Sequence, residues 1–281
     1  MKKLLALILA AVLLFSLAAC TAAPESNDNK DETTAGDTTA NEANAAADYN
    51  LLNEGVLTIG SEIGYPPFEI FADDGVTPIG FDVDMANEIA KRLGLEVNFI
   101  NTQFDTIHEG IGVNYDVIIS GYTINEDRAA QMLLSDPYID NYQAIVARID
   151  SELTADSLLA VDGHSIAYQK GTTTDEIITD LVDTGSVTCT AAANESVLTC
   201  FQQLAQGEVD LVVCDSTVAE VYLANNPDQY KLLFQDDTSP EQFGIGIAKD
   251  NTALYEAINK ILADLKEEGF FDELNATWFG A

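Results

Sequence analysis

An apolar run from Leu4 to Ala19, broken only by Ser16, ends at Cys20, and the stretch that follows has no aromatic residue before Tyr49. These two features confine folding to the rest of the chain. The run falls short of the roughly 20 residues a membrane span needs, and Lys2 and Lys3 precede it, which is the charge layout of a secretory signal peptide over residues 1–19. The segment to Asn50 is built of Ala, Thr, Asn, Asp and Glu. It cannot bury enough surface to offset its ordering entropy, so residues 20–50 read as a flexible tether reaching roughly 30 Å on average. Leu51 to Ala281 remains, enough for one large domain or two small ones.

Leu17-Ala18-Ala19-Cys20 resembles a bacterial lipobox, in which the peptide is cut before the cysteine and the thiol takes a lipid. Cys20 is then the lipidation site, and the chain is extracytoplasmic, anchored to the cell membrane. A plain signal peptide that happens to contain a cysteine is the alternative. The formal net charge is −35. Nucleic acid and anionic lipid are poor partners for such a chain. Cys189, Cys200 and Cys214 fit no zinc spacing, and His108 and His164 lie far apart, so no metal and no cofactor is expected. The three thiols are expected to be buried and free.

Strand and helix patterns alternate from Val56 onward. Val56 to Ser61 is an apolar strand, and Phe81 to Leu93 carries Met85, Ile89 and Leu93 at helical spacing, with Lys91-Arg92 in its last turn and Gly94 as a stop. Further strands are expected at 96–100, 115–120, 143–147, 165–168, 187–190, 209–214 and 243–248. Helices are expected at 125–132, 174–182, 196–206, 217–225 and 252–268. The pattern is that of an α/β protein with a mostly parallel sheet.

Residues suited to binding chemistry sit at strand ends, where open α/β sheets hold ligands. Thr123 and Glu126 have capping-box spacing, and Arg128, one turn in, can lean back to the helix mouth. Exposed N–H groups with a guanidinium fork form a carboxylate clamp; an ordinary surface arginine is the other reading. Gln169 to Glu176 repeats the device, with Thr173 and Glu176 again at capping-box spacing. Asp215 ends the apolar strand 209–214. It is either the N-cap of the next helix or a free carboxylate for an ammonium group, and clamp and counter-charge together describe a zwitterion site.

The chain from Val56 to Phe279 resembles the bacterial extracellular solute-binding proteins, family 3, of polar amino acid ABC importers. The markers are Gly60-Ser61-Glu62-Ile63-Gly64-Tyr65-Pro66-Pro67-Phe68-Glu69, Gly80-Phe81-Asp82-Val83-Asp84-Met85 and Tyr115-Asp116-Val117-Ile118-Ile119-Ser120-Gly121. Thr123 to Arg128, Ser135-Asp136-Pro137-Tyr138, Lys170-Gly171-Thr172-Thr173 and Thr277-Trp278-Phe279-Gly280 continue the series. The resemblance implies a type II periplasmic-binding-protein-like fold, two α/β lobes joined by two crossing strands. Lobe 1 would be residues 51–141 and 240–281, and lobe 2 residues 142–239, with 143–147 and 243–248 forming or adjoining the crossing strands.

By the same resemblance, Arg128 binds an α-carboxylate with backbone N–H groups at Thr123 and Thr173, in a loop that includes Thr172. Asp215 takes the α-ammonium with groups at Ser120 and Gly121. Glu62, Tyr65, Phe104, Tyr122 and Gln169 would frame the side-chain pocket; core packing of Tyr65 and Phe104 and a solvent-facing Glu62 are the alternatives. The segment Ile107-His108-Glu109-Gly110-Ile111 departs from the family's usual helix start, which loosens the placement of Phe104. A carboxylate at Glu62 suits a basic or polar amino acid. The expected protein is a monomeric, non-enzymatic binding lipoprotein whose partners are a free amino acid, the permease subunits of an ABC importer and, through its lipid, a membrane. A sensing module and a cyclohexadienyl dehydratase-like enzyme on the same fold are the alternatives.

Overall fold

The computed structural model describes residues 49–280; Cys20, the leader and nearly all of the tether lie outside them. Two five-stranded sheets organise this part of the chain. In the first, Glu96–Asn101, Val56–Ser61 and Val117–Ile118 run parallel, then Gly246–Ile247 runs against them and pairs with Leu133–Leu134 at the edge. In the second, Thr190–Asn194, Ser165–Gln169 and Leu211–Asp215 are parallel, Gln143–Arg148 is reversed, and Tyr230–Gln235 closes the edge. Each sheet therefore carries one reversed strand in fourth place.

Both reversed strands follow directly on a short antiparallel pair, Ile139–Asn141 with Glu241–Phe243, which forms the two crossings. The stretches 143–147 and 243–248 thus adjoin the crossings rather than form them, apart from Phe243.

Side-chain alternation explains the layering. In the strand Leu211–Asp215, Val212 and Cys214 pack with Val197, Cys200, Phe201 and Leu204 of the helix Val197–Gln206. Leu211 and Val213 face the other way, toward Ile178 and Val161. On the first sheet, Leu57, Ile59 and Val117 meet Phe81, Met85 and Ile89 of the helix Phe81–Leu93 and Leu254, Ile258 and Leu265 of the helix Thr252–Glu267. Each such fully buried side chain contributes about 1.5–3 kcal/mol. Gly94 closes the helix Phe81–Leu93 in the left-handed conformation, as its stop position predicts.

Several element ends differ from the sequence reading. Tyr115 to Ser120 yields only the two-residue strand Val117–Ile118; on either side of it the Asp116 carboxylate accepts Leu52 and Thr58 N–H and Ser120 Oγ accepts Glu62 N–H. The strand expected at 187–190 lies at Thr190–Asn194, after Gly163 and His164 take up Thr188 and Thr190. A strand at Tyr230–Gln235 and a C-terminal helix Phe270–Trp278 add to the expected elements. Cys189, Cys200 and Cys214 are free; the last two are buried and Cys189 is half-buried.

Candidate functional site

The ends of the strands Val117–Ile118, Ser165–Gln169 and Leu211–Asp215 converge beside the crossing pair, and the residues singled out from sequence gather there. The first sheet contributes the turn Ser120 to Thr123. Ser120 Oγ accepts Glu62 N–H at 2.9 Å and donates to Glu69 Oε1 at 2.8 Å. Gly121, at φ +52°, donates its N–H to Asp82 Oδ2 at 2.8 Å, where Tyr138 Oη also donates at 2.9 Å. Glu69 and Asp82 are fully buried. Burial, with Asp82 beside it, pushes Glu69 well above the carboxylate range, and burial lifts Asp82 to about 6. Glu69 Oε2 and Asp82 Oδ1 have no other partner. A proton carried by Glu69 and shared with Asp82 satisfies both.

Thr123 does not cap the short helix Glu126–Ala129, as its spacing with Glu126 suggests. Thr123 is extended, bridged to Phe243, while Ile124 N–H bonds Gln242 O. The cap falls to Asn125, whose Oδ1 accepts Arg128 N–H at 2.8 Å. Arg128 still leans back to the turn: Nη1 donates to Thr123 O at 2.9 Å and Nη2 to Gly171 O at 3.4 Å. Its Cζ lies 4.1 Å from the Tyr122 ring centroid and 5.6 Å from that of Phe104. Only 6% exposed, Arg128 forms no ion pair among the described residues.

The second sheet supplies Gln169, Thr172, Thr173 and Asp215, all buried. The cap of the helix Thr173–Asp183 is Thr172, whose Oγ1 accepts Asp175 N–H at 3.3 Å and donates to Gln169 O at 2.7 Å. Thr173, expected as the cap, instead donates its hydroxyl to Glu241 Oε2 at 2.9 Å. Gln169 Nε2 bonds Glu62 Oε2 across the cleft at 3.1 Å, and Gln169 Oε1 has no donor. Glu62 is buried rather than solvent-facing, and desolvation raises it to about 7 against the lowering effect of that bond.

Asp215 sits at the N-terminus of the helix Ser216–Asn225, yet its side chain makes no capping bond. Oδ1 accepts Asn141 Nδ2 at 2.7 Å and Gln143 Nε2 at 3.1 Å, and Oδ2 accepts the Tyr65 hydroxyl from the opposite lobe. Desolvation, then the nearby Glu241 charge, lift it to about 6. At the rim, Lys170 Nζ meets Asp105 at 2.6 Å. Gly171, at φ +74°, passes so close that a Cβ would lie 2.5 Å from Asp105 Cα.

Sequence reading missed Asn141, Gln143 and Glu241. No local signal marks them, because their partners lie far along the chain. Phe104 and Tyr122 do pack together, at 5.9 Å between centroids, despite the altered segment after Phe104. Among the described residues no group of three or more His, Cys, Asp or Glu is arranged to hold a metal.

The sequence model of the bacterial extracellular solute-binding proteins, family 3, matches residues 57–281. ABC transporter arginine-binding protein 1 of Escherichia coli (strain K12) is 31% identical over 229 residues, covering 79% of this chain and 90% of that protein. The L-cystine-binding protein TcyA of Bacillus subtilis (strain 168) is 27% identical over 282 residues, covering 100% and 98%. A solved structure of an ancestral arginine-binding protein bound to arginine superposes with a TM-score of 0.74 at 34% identity, covering 80% of this chain and 98% of that one.

Proposed function

The chain belongs to that family, and we propose that it captures a polar or basic amino acid between its two lobes and delivers it to an ABC importer. One observation carries the reading. Arg128 is buried without an anion, while Asp215, buried in the same cleft, has no cation within ion-pair distance. Opposite charges left apart in one desolvated space suit a ligand that carries both. Arg128, with N–H groups at Thr123 and Thr173 in the loop containing Thr172, takes the α-carboxylate. Asp215, with acceptors at Ser120 and Gly121, takes the α-ammonium.

Glu62, Gln169, Tyr65, Phe104 and Tyr122 frame the ligand's side chain. A cationic or amide group there would meet the unpaired Gln169 Oε1 and draw Glu62 to its ionised form. The relatives named for arginine and cystine support the basic or polar class. In this reading, residues 51–141 and 240–281 act as one lobe and 142–239 as the other. The protein works outside the cytoplasm as a monomer, tied to the membrane through lipidated Cys20 and residues 20–50.

Thermal unfolding across the proteinogenic amino acids and cystine tests the proposal. A ligand at 100 times its Kd adds about 2.7 kcal/mol of apparent stability. Arginine, histidine and cystine are expected to lead, with the ligand recovered unchanged. No shift with any amino acid, or turnover of a cyclic dienyl acid, overturns it.

A further inference from the structure

Asp215 has a second carboxylate for company. Glu241, at the start of the crossing strand Glu241–Phe243, accepts Gln143 Nε2 on Oε1 at 3.2 Å. Its Oε2 accepts Thr173 Oγ1 at 2.9 Å from one lobe, Thr123 Oγ1 at 3.4 Å from the other, and Asn141 Nδ2 at 3.5 Å. The same two amide nitrogens bond Asp215 Oδ1, at 3.1 Å and 2.7 Å. Two carboxylates that share two single-atom donors stand close enough for one ligand nitrogen to reach both.

Neutral amides organise these carboxylates without cancelling their charge. No Lys or Arg among the described residues forms an ion pair with either. The chain's own nearby cation, Arg128, is buried, and its guanidinium donates to the carbonyls of Thr123 and Gly171. Gln169 Oε1, buried in the same cleft, also lacks a donor. The cleft is thus short of positive charge, with one buried acceptor left without a donor, and like charges held together favour whatever cation enters.

We infer that Glu241 is a ligand-binding residue, forming with Asp215 a two-carboxylate seat for the ligand's α-ammonium group that releases a proton to solvent as the ligand enters. The inference rests on the amino acid-binding reading. Asp215 is faced by Tyr65 from the first lobe, Cys214 on its own strand, Glu241 from the crossing and Arg128 across the cleft, and Glu241 is faced in addition by Glu176 on the helix Thr173–Asp183. Burial and the Glu241 charge hold Asp215 at about 6, so near that pH Asp215 keeps a proton part of the time. An ammonium group between the carboxylates favours the doubly ionised form and drives the proton off.

Calorimetry at about pH 6, in buffers of different ionisation enthalpy, reads affinity and proton release together. The probe is whichever of the proteinogenic amino acids and L-cystine gives the largest thermal shift with the wild-type chain. Glu241→Gln is expected to bind it at least about tenfold more weakly and to release fewer protons, while Glu241→Asp, which keeps the charge, retains the release. Wild-type protein that binds none of these amino acids overturns the amino acid reading and the seat with it. Binding by wild type with both affinity and proton release unchanged in Glu241→Gln overturns the seat alone. Weaker binding with unchanged release also overturns it, since Glu241 would then only brace the crossing strands.

Discussion

The lobes approach the cleft by different means. On the side of the first sheet, the turn Ser120–Thr123 rests on two fully buried acids, Glu69 and Asp82, which hold Ser120 Oγ and Gly121 N–H from below. On the side of the second sheet, Gln169 and Asp215 simply end their strands, and Thr172 and Thr173 open a helix. The turn of the first half is propped by a protonation state beneath it; the residues of the second half are placed by topology. Local structure of similar appearance can therefore answer differently to the same perturbation.

The largest difference is expected on truncating the support. Glu69→Ala leaves Ser120 Oγ and Asp82 without their shared partner in a dry site, and chemical denaturation should show a loss of about 3 kcal/mol. Gln169→Ala, which removes bonds to Glu62 and Glu195 O, should lose about 1 kcal/mol. Equal losses would break the contrast.

Next in size are the charges facing the ligand, one from each lobe. Arg128→Ala and Asp215→Ala should each weaken amino acid binding by at least about 30-fold, or roughly 2 kcal/mol, because the remaining ligand charge is left buried and unmatched. Titration calorimetry checks this, and near-native affinity in either variant reduces that residue to an element-end group.

A smaller effect is pH dependence without ligand. Glu62 at about 7, with Asp82 and Asp215 at about 6, all lie above their ordinary values because of burial. The folded chain then holds more protons than the unfolded one, so this stabilisation is full below the unfolded pKa values and is lost as pH rises through the folded ones. Melting temperature should fall by several degrees between about pH 5 and about pH 8, and Asp82→Asn should flatten the curve. A rise over that window would contradict the shared proton.

The smallest belongs to the rim. Lys170 is half exposed, and Lys170→Ala should change stability by no more than about 1 kcal/mol even though its pairing with Asp105 spans the lobes. A larger loss would make the rim, not the buried centre, the main link between lobes.

The helices Phe81–Leu93 and Thr252–Glu267 were legible because apolar spacing and an end signal agree in each. Arg128 and Asp215 could be singled out because both stand at element ends in a chain with few cations. Cap positions were less legible: Asn125 displaces Thr123 and Thr172 displaces Thr173, since bonds to Phe243 and Glu241 claim the expected residues. Glu241, Asn141 and the pair Glu69 and Asp82 were illegible for one physical reason. Their meaning lies in partners far along the chain, and a carboxylate in so acidic a sequence carries no local mark.

The reversed strand in each sheet has a consequence for the order of assembly. The second sheet draws all its strands from the continuous stretch Gln143 to Gln235, so it can close as soon as that stretch is available. The first sheet must wait: Gly246–Ile247, which joins Val117–Ile118 to Leu133–Leu134, arrives only after the whole second sheet has been made. A chain emerging from its N-terminus thus completes the later lobe first, and the earlier strands stay an unfinished sheet until the last helices dock. The interval during which Val117–Ile118 and Leu133–Leu134 lack their common neighbour is when this protein is most open to mispairing.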